Sequence, residues 1–379
     1  MSVGLLLVRP FVSRGREQTR TTRRGGTLFA LSGVLCLLGV VPEAQRGDSP
    51  RVLQPRTSAA SPALDFQFDA VQVGTAEYSE GPTGVTVLYF PSRVIAAVDV
   101  RGGSPGTSGT DTLRFGYDTP AVDAIVLAGG SVYGLEATEG VRGELLATGK
   151  RDASRFNIAN VLGAIIYDFP YRTNSVYADR ELGRAALRAA RSGRVPLGTQ
   201  GAGRSASVGK YFGYAFGEMA GQGAAFRQVG ATKILVITVV NALGVIVDRQ
   251  GNVVRGNRDP QSGARTHVIE DLNNGVGRRK RELELKRRAG QPPANSEGNT
   301  TLTVIVTNQK LGYSDLQRLA VQAHTSMARA IQPFQTRRDG DVLFAVTTAE
   351  IDNPAFDAAD ISTLAGELAW DAVLASLSR

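Results

Sequence analysis

The run Gly298-Asn299-Thr300-Thr301-Leu302-Thr303-Val304-Ile305-Val306-Thr307-Asn308 decides how the chain is organised. A polar, proline-containing stretch from Gln291 ends at Asn299, and a β-branched strand pattern begins at once with two threonines. If the chain is cut before Thr300, that residue carries a hydroxyl nucleophile and a free α-amine on one skeleton. The amine then serves as general base. A threonine opening a strand is also ordinary strand chemistry, so the reading depends on the rest of the chain.

What the chain lacks narrows the chemistry. It holds two histidines, His267 and His324, and one cysteine, Cys36, which falls in the leader-like region. His267 lies in a charged loop-like stretch and His324 inside a helical pattern, so both read as structural. A Ser-His-Asp triad, a Cys-His pair and a His/Cys zinc site are disfavoured, and no metal or cofactor is expected.

The net charge of +8 is unevenly spread. Residues 1–57 carry +6 and residues 278–288 carry +5, which leaves the remainder at −3. A phosphate-binding face needs basic residues clustered on the folded body, so no nucleic-acid partner is expected. The basic run reads as a solvated, flexible part of an exposed linker, 278–298, that presents the cut site.

At the amino terminus, Arg20, Arg23 and Arg24 precede an apolar run, Leu28 to Val41, too short for a comfortable membrane span. Polar residues follow, in the order of a secretory signal. Residues 1–46 are read as a targeting segment, by the twin-arginine route if the Arg23-Arg24 pair is used. Residues 47–65 read as a flexible tether. The expectation is an exported protein, periplasmic or secreted, with no stable membrane insertion after processing.

Beyond Phe66, residues 85–90 and 94–100 read as a hairpin around Pro91-Ser92-Arg93, as do 234–240 and 245–248. Residues 124–127, 160–169, 301–307 and 342–347 read as strands. Helical spacing covers 135–147, 182–190, 314–331 with Ser314 as N-cap, and 360–377. Strands and helices interleave without a GxGxxG or P-loop, which points to a layered α/β fold.

Several stretches together resemble the P1-family peptidases, the L-aminopeptidase/D-esterase or β-peptidyl aminopeptidase group. They are Thr83-Gly84-Val85-Thr86-Val87 and Val98-Asp99-Val100-Arg101-Gly102-Gly103-Ser104-Pro105-Gly106-Thr107, followed by Val122 to Leu135. Gly201-Ala202-Gly203, Val208-Gly209-Lys210, Val240-Asn241-Ala242-Leu243-Gly244, Gly298-Asn299-Thr300-Thr301 and Asp339-Gly340-Asp341 complete the set, in order. The resemblance implies an α/β fold of four layers, an α-β-β-α sandwich of two packed sheets flanked by helices. It also implies self-cleavage between Asn299 and Thr300. Residues 66–299 would form a large subunit and 300–379 a small one, with cleaved heterodimers assembling into a homo-oligomer.

The resemblance assigns roles, each beside a plainer reading. Thr300 is the nucleophile. Asn241 donates to the oxyanion, or is a turn residue before Gly244. Tyr167 orients substrate or oxyanion, or is a core tyrosine. Asp339 and Asp341, aimed at one point through Gly340, hold the nucleophile's amine, or form an Asp-Gly turn. Gly129, Gly130 and Ser131 leave backbone N–H groups open to the substrate pocket, or only permit close packing. Ile165 stands where the β-peptide branch carries an acid that binds the substrate's amine. The expected function is a self-processing aminopeptidase and amidase-esterase that releases N-terminal residues from short peptides, amides or esters. The alternatives are an acyltransferase like the ornithine acetyltransferases and an inactive binding protein of the same fold.

Overall fold

The computed structural model describes residues 53–57, 62–114, 116–117, 121–289 and 298–378. The targeting segment 1–46 lies outside the described residues. Eight strands carry the architecture: β1 Gln72–Tyr78, β2 Thr83–Val100, β3 Val122–Ala128, β4 Val161–Ile165, β5 Gln222–Val229, β6 Thr232–Asn241, β7 Thr300–Gln309 and β8 Val342–Ile351. Six helices accompany them: α1 Glu136–Ala147, α2 Arg180–Arg188, α3 Val268–Asn273, α4 Val276–Arg288, α5 Tyr313–Ser326 and α6 Ala358–Ala375.

Strand β2 joins the two sheets. Its first half pairs with β1 and β3, and its second half, Ile95–Val100, pairs with β8. The expected hairpin at Pro91 is instead one long strand with a register shift between Tyr89 and Val94. Proline cannot donate to a ladder and is tolerated at such an irregularity. The second expected hairpin is also absent. β6 pairs with β5 and β7, while Val245–Val247 pairs with Val253–Arg255 and Ile331–Gln332 in another small sheet. In both cases local strand pattern was right and local pairing wrong, because pairing partners are set by the tertiary core.

Three apolar clusters define four layers. Leu88, Phe90, Ile125, Leu127 and Leu162 of one sheet meet Ile237, Val239, Leu302, Val304 and Phe344 of the other in the central filling. The outer face of the second sheet, with Val236, Ile305 and Leu343, packs against Leu319 and Ala323 of α5 and Ala365 and Leu368 of α6. The outer face of the first, with Val85, Val87 and Val126, packs against Val141 of α1 and Leu182 of α2. Strands buried on both faces favour apolar and β-branched residues, which explains the hydrophobic run of β3 and the threonines interleaved with Leu302, Val304, Ile305 and Val306 in fully buried β7.

Three local readings change. Helix α5 starts at Tyr313 with Gly312 as N-cap, so Ser314 is inside it and caps nothing. The tether is partly docked: Arg56 bridges Glu77, and Ala63–Asp65 pairs with Arg194–Pro196. Residues 278–288 of the supposed exposed linker lie in helix α4. Lys280 of that helix is buried on Asp271 at 2.6 Å and on Asn257 Oδ1 at 3.0 Å.

Candidate active site

Thr300 is the first residue of β7, and its Cα partner in β6 is the last residue of that strand, Asn241. The two strand ends therefore meet where the sheet opens. Asn299, just before the strand, bridges Asp339. Its carbonyl oxygen accepts the Gly340 N–H at 2.6 Å and the Thr300 Oγ1 hydroxyl at 2.5 Å. Thr300 is only 3 % exposed and Asn299 1 %, so the Asn299–Thr300 bond is buried. Glycine is required at 340, because a Cβ there would lie 2.7 Å from Thr300 Oγ1 and 2.6 Å from Ser104 O.

Asp339 and Asp341 flank this glycine with separate tasks. Asp339 Oδ1 accepts the Leu243 N–H at 3.1 Å, and Oδ2 accepts the Thr336 hydroxyl at 2.5 Å and its N–H at 3.2 Å. Asp341 Oδ1 accepts the Thr301 N–H at 2.6 Å, and Oδ2 accepts the Gln335 N–H at 3.0 Å. The carboxylates thus bracket Thr300 rather than converge on its nitrogen. Burial pushes Asp339 above the usual carboxylate range. Burial, followed by the neighbouring Asp339 charge, pushes Asp341 well above it.

Asn241 is buried, but its amide does not point at the Asn299 carbonyl. Nδ2 donates to Tyr167 O at 2.9 Å, and Oδ1 accepts from Lys210 Nζ at 2.8 Å and Ser207 N at 3.1 Å. The backbone donor on the Asn299 carbonyl is the Gly340 amide. Lys210, to which the sequence reading assigned no role, also donates from Nζ to Asn241 O at 3.1 Å. Burial lowers it to about 7, against the opposing pull of Asp339. A buried amine near neutrality within the electrostatic reach of Asp339 is a candidate proton carrier. The signal was the Val208-Gly209-Lys210 match, but a lone lysine in a glycine-rich loop has no periodicity to mark it.

The Tyr167 ring abuts Gly298, where a Cβ would meet its Cγ at 2.4 Å. Burial raises the Tyr167 hydroxyl above its ordinary value. Ile165, at the end of β4, is 5 % exposed and packs its Cδ1 against Gly106. The Gly129-Gly130-Ser131 turn differs from the open cradle expected. Gly129 N donates to Gly84 O, Gly130 N to Asp168 Oδ1 and Ser131 N to Ile166 O, all at 2.9 Å. Asp168, ion-paired to buried Arg172, locks that turn. The structure therefore gathers Asn299, Thr300, Asn241, Tyr167, Asp339, Asp341 and Lys210. It leaves Gly129, Gly130 and Ser131 as a braced wall with no free amide.

The histidines take no part. His324 Nδ1 pairs with Asp99 Oδ2 at 2.9 Å, and His267 Nε2 contacts Gly251 O at 2.9 Å.

Known proteins share both fold and sequence with this chain. A 6-aminohexanoate-oligomer endohydrolase of Kocuria sp. is 44 % identical over 338 residues, covering 86 % of this chain and 90 % of that protein. An uncharacterized aminopeptidase of Mycobacterium tuberculosis is 34 % identical over 277 residues, covering 72 % and 75 %. The solved L-aminopeptidase D-Ala-esterase/amidase of Ochrobactrum anthropi, described as a variant of the Ntn hydrolase fold, superposes with TM-score 0.54 at 19 % identity. That match covers 81 % of this chain and 84 % of that one. The model of Peptidase family S58 matches residues 68–377. The chain is a hydrolase and belongs to Peptidase family S58.

Proposed function

We propose that the chain cuts itself between Asn299 and Thr300, and that the freed Thr300 hydrolyses amide bonds of short linear substrates through an acyl-enzyme. One observation carries this reading: the Thr300 hydroxyl and the Gly340 N–H meet on the same carbonyl oxygen, at 2.5 and 2.6 Å. In the precursor, Thr300 Oγ bonds to the Asn299 carbonyl carbon, the C–N bond breaks, and the hydroxyl proton passes to the departing nitrogen. Water then hydrolyses the ester, releasing Asn299 as a carboxylate and Thr300 with a free amine. A substrate carbonyl repeats the cycle: Oγ attacks, the amine leaves with the proton, and water frees the acid. An amide donor held on the developing oxyanion lowers such a barrier by roughly 3 kcal/mol.

The substrate reading follows from Ile165. An apolar side chain there offers no partner for a substrate ammonium, so a free N-terminus is not demanded. Release of N-terminal residues from short peptides, amides and esters fits. Cleavage within an oligomer fits equally, as the name of the Kocuria relative describes for that protein.

Denaturing electrophoresis with intact mass tests the self-cleavage. The expected small fragment spans 300–379 and begins Thr-Thr-Leu, and Thr300→Ala stays uncut. An active protein made only of intact chain would sink the mechanism. Linear 6-aminohexanoate oligomers with free and acetylated amino ends test the substrate, with products separated by mass. Hydrolysis of both at similar rates is expected. Product that appears only with an added amine acceptor would mark a transferase.

A further inference from the structure

A second cavity lies one loop away from Thr300. It encloses about 410 Å³, within the range of small-molecule sites. Leu243, Val268, Leu272 and Pro333 give it apolar walls, and Thr336 and Arg337 close one side. Arg337 is exposed and makes no ion pair with any described residue. His267 and Arg338 also line the cavity. The unpaired Arg337 guanidinium on an otherwise largely apolar lining suits a flexible aliphatic chain that ends in an anion.

The cavity shares its wall with the reaction centre. The Leu243 N–H and the Thr336 N–H and hydroxyl all bind Asp339, whose neighbour Gly340 touches the Asn299 carbonyl. Asn299 Nδ2 also donates to Arg338 O at 3.3 Å, next along from Arg337. We propose that this cavity binds the carboxylate end of a linear oligoamide, its methylenes against Leu243, Val268 and Leu272 and its carboxylate on Arg337. This deepens the oligoamide reading given above and rests on it for the identity of the natural ligand. A single bound chain would then be sensed through Leu243 and Thr336 at Asp339.

Calorimetric titration of the full-length protein with hexanoate, hexylamine and hexan-1-ol tests the site without requiring turnover. Saturable hexanoate binding is expected, at least tenfold tighter than either uncharged or cationic analogue. Arg337→Gln, an exposed change outside the core, is expected to lose that preference. Leu272→Glu, which sets a carboxylate in the mouth, is expected to abolish hexanoate binding. Equal binding of hexanoate and hexylamine, or unchanged binding by Arg337→Gln, overturns the proposal. Protein that binds hexanoate as expected yet hydrolyses no oligoamide would retain this site and refute the catalytic reading instead.

Discussion

Gly340 donates its N–H to Asn299 O at 2.6 Å, and its missing side chain leaves the space that Thr300 Oγ1 occupies. One residue thus supplies both the donor and the clearance. Gly340→Ala should push the added methyl against Thr300 Oγ1 and Ser104 O. The expected result is self-cleavage slowed tenfold or more together with a lowered thermal transition, because the Ser104 backbone oxygen must also give way. Time-resolved gels beside calorimetry read both. Cleavage at the wild-type rate would remove Gly340 from the mechanism.

Lys210 gives the site its pH signature. Its folded value of about 7 lies below the ordinary 10.5, so the folded state binds fewer protons than the unfolded one between those limits. Stability contributed by this group therefore rises with pH from about 7 to 10.5, and the penalty of burying the charge is complete below 7. In urea titrations, wild type should gain on Lys210→Met across that window and run parallel to it below. The same substitution should erase any limb near pH 7 in the rate of self-cleavage. A limb that survives belongs to another group.

Helix α4 carries a prediction about the linker. Lys280 and Asp271 form an ion pair with both side chains about 95 % buried, and Asn257 and Thr266 add hydrogen bonds. Removing one partner of such a pair costs about 3–5 kcal/mol, because the other charge is left uncompensated. Asp271→Ala should fall in that range by denaturant unfolding, whereas Asp271→Leu with Lys280→Met should cost much less. Equal losses would show that packing, not charge, holds α4.

These residues also show what the sequence makes legible. β3, β4, β7 and β8 were visible because strands buried on both faces are rich in apolar and β-branched residues. α1 and α6 were visible from their spacing. α4 was not, because its buried face carries Lys280 and Glu284 in place of leucines, so a helix satisfied by ion pairs looks like a solvated charge run. The two false hairpins have a different cause. The first half of β2 pairs with β1 and β3 and its second half with β8, instead of the two halves with each other. β6 pairs with β5, which precedes it, and with β7 far away in sequence, instead of with the segment that follows it. In the site, Thr300 and the Asp339-Gly340-Asp341 turn were legible by motif. The direction of Asn241 Nδ2 and the engaged amides of Gly129, Gly130 and Ser131 were not, since both depend on which distant acceptor lies nearest.

On the proposed function, Ile165 is expected to set whether a free amino end is demanded. Its side chain is buried beside Gly106, two residues before Tyr167, whose ring abuts Gly298 next to the Asn299–Thr300 bond. A site that pairs a buried charge rejects the uncharged analogue strongly, while an apolar wall cannot. Ile165→Glu should therefore turn a tolerant amide hydrolase toward free-amine substrates. An unpaired buried polar group costs about 1–3 kcal/mol and a charged one more, so the preference for a free over an acetylated amino end should rise by at least roughly fivefold. The gain should appear mainly as lost turnover of the acetylated substrate, because the mutant carboxylate is then left without a partner. Release of p-nitroaniline from matched free and N-acetyl aminoacyl anilides measures the ratio, with self-cleavage checked by mass in the same preparation. If the cleaved variant keeps the wild-type ratio, Ile165 lies outside the amine-binding position and the tolerance of the site must arise elsewhere.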